Sequence, residues 1–226
     1  MKVFMTGGTG FVGTYLTKKL IDQGYNVCVL TQSLTGRELK IPGLSYLVGD
    51  PNVRGKWQDA VKDYEIIVNL AGASIFIRWT DEQKKILRDS RLNTTRHLVE
   101  ALPADASRVV FFSTSAVGYY GFHEDEELTE SSPAGGDFLA RLAADWEAEA
   151  MRAKEKGARV VITRFGIVLG PNGGALGQMI PLFKFFLGGP LGSGRQWFSW
   201  VHLQDLADAF LFLIGHPEIS GAVNVC

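Results

Sequence analysis

The sequence predicts a doubly wound α/β fold, in which helices cover both faces of a parallel sheet. Two observations support this prediction. Strand-like and helix-like segments alternate along the 226 residues, and the strand-like segments are nearly continuous runs of Val, Ile and Phe. Such runs are typical of strands that are covered on both faces, as the strands of parallel sheets are. Right-handed β-α-β connections would join these segments into an open sheet.

The predicted elements follow one another regularly up to residue 165. We predict strands over residues 2–6, 26–30, 44–48, 64–70, 108–113 and 159–164. Apolar residues at helical spacing predict helices over residues 11–23, 57–61, 81–102 and 137–156.

Residues 166–226 are expected to form a small lobe within the same structural unit. Residues 166–194 are rich in glycine, carry Phe183, Phe185 and Phe186, and show no clean strand pattern. We interpret them as a wall over a substrate pocket, because long irregular connections are usually functional; an ordinary surface connection is the alternative. A strand over residues 197–201, a helix over 203–214 and a strand beginning at 222 follow. The sequence stops inside this last element, so we expect a C-terminal portion to be missing.

A glycine-rich run links the first strand to the first helix. It reads Gly7-Gly8-Thr9-Gly10-Phe11-Val12-Gly13. The glycines allow a tight turn, a close approach of the backbone to a ligand and packing of the helix on the sheet, while the helix N-terminus attracts a diphosphate. A purely structural turn is the alternative, but the strand-turn-helix context favours a dinucleotide site. Residues 1–165 are therefore predicted to be an NAD(P)-binding domain with the Rossmann fold.

The end of the second strand indicates which dinucleotide is bound. The segment Thr31-Gln32-Ser33 lacks the acidic residue that would bind a ribose 2′-hydroxyl and repel a 2′-phosphate, and Arg37 and Lys40 follow it. This favours NADP, with NAD as the other possibility. Asp50 follows the third strand, where it is expected either to accept a hydrogen bond from the adenine amino group or to cap a turn.

Small and polar residues end the fourth and fifth strands. The fourth ends in Asn69-Leu70-Ala71-Gly72-Ala73, whose small side chains would let a cofactor lie against the backbone. The fifth ends in Ser113-Thr114-Ser115, whose hydroxyls could orient a carbonyl beside a nicotinamide ring or merely cap a turn. Tyr119 and Tyr120 follow, as candidate proton donors or as pocket walls.

Arg91 is a charged residue on an apolar helix face. It shares this face with Leu87, Thr94 and Leu98, which lie at three- and four-residue spacing. A buried arginine needs a partner, because an unpaired buried cation is very costly. We expect cofactor oxygens or a strand-end carbonyl to supply it; an arginine that extends from the helix edge into solvent is the alternative.

Composition excludes several classes of protein. The formal net charge is -1, with no basic stripe that would bind nucleic acid. The two cysteines and four histidines are dispersed, so no metal site is expected. No uncharged stretch reaches the ~20 residues of a membrane span, and nothing resembles a signal peptide, so we expect a cytoplasmic protein.

Together these residues resemble the extended short-chain dehydrogenase/reductase superfamily. The glycine turn, residues 69–73, residues 113–115 with the following Tyr-Gly, Arg164, and the later His202 and Asp205 recur there in this order. More narrowly, the chain resembles the atypical subgroup of nucleoside-diphosphate-sugar epimerase-like proteins. Its marks include Arg78-Trp79-Thr80, the run from Ser115 to Gly121, and Ser199-Trp200-Val201-His202.

The resemblance implies a set of site residues. Ser115 and Tyr119 would be catalytic. Cofactor-binding residues would be Gly7, Thr9, Gly10, Phe11, Val12, Gln32, Ser33, Asp50, Leu70, Ala71, Gly72, Arg91, Ser113, Thr114 and Arg164.

The chain also departs from the superfamily. Leu139 and Ala143 stand where its Tyr-x-x-x-Lys acid/base pair would be, and no tyrosine occurs after Tyr120. Arg91 occupies the place of an active-site asparagine, and Gln32 that of an arginine common in the subgroup.

Two functions are compatible with this sequence. The first is an NAD(P)-dependent oxidoreductase or epimerase-like enzyme that acts on a small carbonyl or sugar-nucleotide substrate without the usual Tyr/Lys pair. The second is a non-catalytic NADP-binding sensor or interaction protein. The sequence predicts a small-molecule partner in both cases and leaves the oligomeric state open.

Overall fold

The computed structural model describes residues 1–36, 39–189 and 192–226. Seven parallel strands form the main sheet, in the order β3-β2-β1-β4-β5-β6-β9. They are β1 (Lys2–Thr6), β2 (Asn26–Thr31), β3 (Leu44–Val48), β4 (Ile66–Asn69), β5 (Val110–Ala116), β6 (Arg159–Phe165) and β9 (Gly221–Val225). The doubly wound parallel sheet predicted from the sequence is confirmed.

Six α-helices connect the strands of the described chain. They are α1 (Phe11–Asp22), α2 (Gln58–Val61), α3 (Asp81–Ala101), α4 (Phe138–Met151), α5 (Gly174–Lys184) and α6 (Leu203–Gly215). Thr80 and Asp137 are the N-cap residues of α3 and α4, and the side-chain oxygen of each accepts a hydrogen bond from the backbone amide three residues on. A 3₁₀ segment, Arg152–Lys156, extends α4 and completes the helical region predicted over residues 137–156.

The glycine-rich region after residue 165 contains a strand that the sequence pattern did not show. Strand β7 (Ile167–Leu169) pairs in parallel with β8 (Trp200–His202) in a separate two-stranded sheet. Three residues are too few for a detectable alternation, and their pairing partner lies more than thirty residues away. The expectation of no strand in this region was wrong.

Apolar residues form one core on each face of the main sheet. On one face, Leu16 and Leu20 of α1 pack with Leu206 and Phe210 of α6 against the strands. On the other face, α2, α3 and the end of α4 cover Phe4, Ile67 and their neighbours. The strand order reverses between β1 and β4, and ligands of such sheets bind in the crevice at the carboxyl ends of the strands on either side of a reversal.

Candidate cofactor site

The glycine run forms the tight turn at this crevice. Gly7 has a φ of 70°, and a β-carbon there would lie 2.6 Å from the carbonyl carbon of Leu70. A β-carbon at Gly8 would lie 2.6 Å from a methyl group of Val29. One at Gly13 would overlap the carbonyl oxygen of Gly7. Each glycine therefore allows a different close contact. Gly7 lets the end of β1 approach β4, Gly8 lets the turn approach β2, and Gly13 lets α1 pack against the turn.

An open cavity of about 920 Å³ lies above this turn. Its volume is near the upper end of the ~300–1,000 Å³ typical of small-molecule sites. Nine of the residues predicted to bind the cofactor line it: Gly7, Thr9, Gly10, Gln32, Ser33, Asp50, Leu70, Ala71 and Gly72. The structure thus gathers residues from the ends of four strands around one space.

Among the described residues between β2 and β3, none that lines this cavity is acidic. Gln32 and Ser33 line it and are exposed, and the Ser33 carbonyl accepts a hydrogen bond from the Thr31 hydroxyl at 3.0 Å. Asp50 lines the same wall while its Oδ1 accepts from the backbone amide of Asn52 at 2.9 Å, so its turn-capping role coexists with access to the cavity. Arg37, which contributed to the NADP prediction, lies outside the described residues.

Ser113 and Thr114 lie near the end of β5, which runs on to Ala116. Among the described residues, the side-chain oxygens of Ser113, Thr114 and Thr163 are buried and make no hydrogen bond. Thr114 and Thr163 are partners in the register of β5 and β6, so their side chains lie on the same face of the sheet. Neither Ser113 nor Thr114 lines the cavity, and as neighbours in a strand they face opposite sides of the sheet.

Arg91 finds its partners in the protein. Its Nη1 donates to the carbonyl oxygens of Ala73 and Leu87, both at 3.1 Å, and its guanidinium lies 5.4 Å from the ring centre of Trp146. Burial lowers the pKa of Arg91, which nevertheless remains a cation at neutral pH because arginine titrates so high. The strand-end carbonyl expected from the sequence is present at Ala73. The arginine lies behind Gly72, where it supports the cavity wall.

Phe11 and Val12 begin α1 but direct their side chains away from the cavity. The ring of Phe11 packs against glycines of the turn before α5, and Val12 packs on the apolar core. Their contribution at the cavity is the N-terminus of α1, where Gly10 occupies the N-cap position without a side-chain hydrogen bond.

Ser115 and Arg164 belong to a buried polar network. The Ser115 hydroxyl donates to Oε1 of Glu147 at 2.6 Å. Arg164 donates to both carboxylate oxygens of Glu147, at 2.9 and 2.8 Å, and to the Tyr120 hydroxyl at 2.9 Å. That hydroxyl in turn donates to Oδ1 of Asn224 at 2.7 Å. The network joins β5, α4, β6 and β9.

The electrostatics of this network favour the ion pair. Burial acts to lower the pKa of Arg164, but the hydrogen bonds to Glu147 and Tyr120 outweigh it and raise the pKa. The guanidinium also lies 3.6 Å from the ring centre of Tyr119, as in a close cation–π contact. Tyr119 is half-buried, and it forms one side of this network.

Sequence reasoning missed Glu147 and Asn224. Glu147 could have been noticed because Ala140, Ala143 and Ala150 share its face of α4, and an acidic residue on a face of small apolar residues needs a buried partner. Asn224 gave no such signal, since its partner is 104 residues away in the sequence.

The parallel sheet, the glycine turn at its reversal point and the cavity above it define a Rossmann-type α/β protein with a dinucleotide-sized site. Comparison with known proteins specifies the group. The chain belongs to the NAD dependent epimerase/dehydratase family, whose model matches residues 3–226.

Several relatives match nearly the whole chain. It is 40% identical to the epimerase family protein SDR39U1 homolog, chloroplastic, of Arabidopsis thaliana, over 99% of this chain and 65% of that protein. It is 39% identical to epimerase family protein SH2119 of Staphylococcus haemolyticus, over 100% of this chain and 75% of that protein. The chain therefore spans about two thirds to three quarters of these relatives.

Two solved structures share the fold at comparable identity. The human epimerase family protein SDR39U1 (isoform2) with NADPH superposes with a TM-score of 0.83 at 33% identity, over 100% of this chain and 74% of that one. The nucleoside-diphosphate sugar epimerase from Corynebacterium glutamicum gives a TM-score of 0.80 at 36% identity, over 99% of this chain and 46% of that one.

Within residues 1–36, 39–189 and 192–226, no group of three or more His, Cys, Asp or Glu side chains could hold a metal ion. No described helix combines the length and apolarity needed to cross a membrane.

Proposed function

We propose that the chain binds NADP(H) in the cavity above the glycine turn. The observation that carries the proposal is the convergence of nine predicted residues on one space of suitable volume. One further observation supports it: the human relative was crystallised with NADPH.

Different residues of the cavity would bind different parts of the cofactor. The turn from Gly7 to Gly10 and the start of α1 would hold the diphosphate, because the helix N-terminus carries partial positive charge and Gly10 has no side chain to block access. Gln32 and Ser33 would receive the adenosine ribose and, since neither is acidic, tolerate a 2′-phosphate. When bound, the cofactor supplies hydride transfer, and the protein supplies orientation and electrostatics.

We further propose that the chain is an NADP(H)-dependent oxidoreductase of the epimerase/dehydratase type, acting on a small carbonyl or sugar-nucleotide substrate. The 36% identity to a nucleoside-diphosphate sugar epimerase supports this class of substrate. In this proposal Ser115 holds the reacting oxygen and Tyr119 moves its proton. Leu139 and Ala143 on α4 cannot act as an acid/base pair, so turnover is expected to be slow. General acid/base groups typically contribute about 10²–10⁴-fold.

One geometric observation favours the second candidate, a cofactor-binding sensor without turnover. The Ser115 side chain is buried, and its hydrogen is committed to Glu147 at 2.6 Å. A serine in this state can accept a hydrogen bond but has no free proton to offer a carbonyl.

Calorimetry followed by turnover assays tests both candidates. We expect binding heat with NADPH, and weaker binding of NADH; no heat with either dinucleotide would refute cofactor binding. NADPH oxidation is then followed with a panel of carbonyl compounds and sugar nucleotides, with Ser115→Ala as the control. Turnover above that control supports the enzyme. Binding without such turnover, together with different affinities for the oxidised and reduced cofactor, supports the sensor.

A further inference from the structure

The turn between β7 and α5 forms a seat for one aromatic ring of the cofactor turn. A β-carbon added at Gly173 would lie 2.5 Å from Cδ2 of Phe11, and one at Gly174 would lie 2.6 Å from its Cε1. One at Gly170 would lie 3.1 Å from Cζ of the same ring. Three glycines therefore make room for Phe11, and a side chain at Gly173 or Gly174 would displace the ring, whereas one at Gly170 would first meet Leu203 at 2.9 Å.

Apart from this seat, helix α5 is only weakly packed against the described part of the protein. None of its residues is buried, and its apolar side chains Ile180, Leu182 and Phe183 are each more than two-fifths exposed. The helix begins directly at the glycine seat, with Gly173 in the N-cap position. Phe11 directly follows Gly10, which lines the cavity and caps α1. The ring thus connects the proposed cofactor site to a weakly anchored helix of the C-terminal lobe.

We propose that Phe11 is a positioning residue that couples occupation of the cofactor site to the placement of α5. The inference rests on the proposed NADP(H) binding. A diphosphate bound at the start of α1 restrains Gly10 and Phe11; the restrained ring then holds the glycine seat, and the first turn of α5 with it. The ring of Phe11 would therefore act on the C-terminal lobe, beyond the cavity itself.

A pair of compensating substitutions tests the seat without any ligand. Gly173 has an extended backbone with a φ of 177°, so Gly173→Ala introduces a clash with the ring and no backbone strain. We expect amide hydrogen exchange in residues 174–184 to accelerate about tenfold in this variant. Overpacking typically lowers the free energy of local opening by an amount that corresponds to about this factor. Phe11→Leu combined with Gly173→Ala makes room for the added methyl and should restore exchange to within about twofold.

Gly177→Ala is the matched control, because it adds the same methyl group to the same helix. Nothing lies within 4 Å of that position, so exchange should be unchanged or slower. Equal acceleration in both alanine variants, or no rescue by Phe11→Leu, would overturn the seat.

Addition of NADPH then tests the coupling. We expect NADPH to slow exchange in residues 174–184 of the wild-type protein severalfold, and to have no such effect in Phe11→Ala at NADPH concentrations that calorimetry of this variant shows to be saturating. A structural role alone would not produce protection that depends on both ligand and ring. Binding heat with unchanged exchange in α5 overturns the coupling alone, whereas no binding heat in the wild type refutes the proposed function and the coupling together.

Discussion

Replacement of Arg164 by methionine is expected to destabilise the protein severely. Arg164 is only 3% exposed and donates four hydrogen bonds: two to Glu147, one to the Tyr120 hydroxyl and one to the Glu130 carbonyl at 3.2 Å. Methionine fills a similar volume without a charge. In the variant, the buried Glu147 carboxylate would keep only the Ser115 hydroxyl as a partner.

The magnitude follows from this uncompensated charge. Removal of one member of a buried ion pair typically costs about 3–5 kcal/mol. For a domain of this size, we expect Tm to fall by about 6–20 °C. Replacing both members, in Glu147→Leu/Arg164→Met, removes the buried charge as well. The double variant should recover at least about 1–2 kcal/mol relative to Arg164→Met, although the hydroxyls of Ser115 and Tyr120 then each lose a partner.

The assay is chemical denaturation followed by circular dichroism, with Arg54→Met as the matched control. Arg54 also contacts a glutamate through two hydrogen bonds, to Glu100 at 2.9 and 2.6 Å, but its side chain is 67% exposed. Exposed pairs contribute about 0–1 kcal/mol, so this variant should remain close to wild type. Similar losses for Arg54→Met and Arg164→Met, or a double variant less stable than Arg164→Met, would refute the reasoning.

Three further predictions concern the glycine turn, cofactor preference and pH dependence. Ser33→Asp should weaken NADPH binding about 10–100-fold more than NADH binding in calorimetry, since the new carboxylate repels the 2′-phosphate; Ser220→Asp, an exposed site at the other end of the sheet, should leave the ratio unchanged. Gly13→Ala should abolish NADPH binding, because α1 must shift to accommodate the methyl; a Kd within about threefold of wild type would contradict this. The pKa of Glu130 is lowered, first by the hydrogen bond from the Asn224 amide, so its stabilisation is present at neutral pH and is lost on acidification. Urea denaturation should therefore show Glu130→Gln less stable than wild type at pH 7, with the difference shrinking as the pH falls below the ordinary glutamate pKa of about 4.3 and lost below the pKa of Glu130 in the folded protein; a difference independent of pH would exclude this origin.

The sequence predicted the main sheet and the tight glycine turn after β1 because both depend on local chemistry. Buried parallel strands need continuous apolar runs, and the turn at Gly7 needs a residue that tolerates a positive φ. The network around Glu147 could not be predicted in this way, since its members come from three strands, one α-helix and the 3₁₀ segment Val117–Tyr120, which are joined only by folding. Ser113 and Thr114 stay predictions for the cofactor site.

The order of the strands has a consequence for folding. β1 must pair with β4 across 63 residues of chain before Gly7 meets Leu70. Such long-range pairing requires the closure of a large loop, which makes refolding slow. We therefore expect the crevice to form late in folding. A dinucleotide added during refolding should then leave the rate of folding unchanged and stabilise the folded protein by mass action.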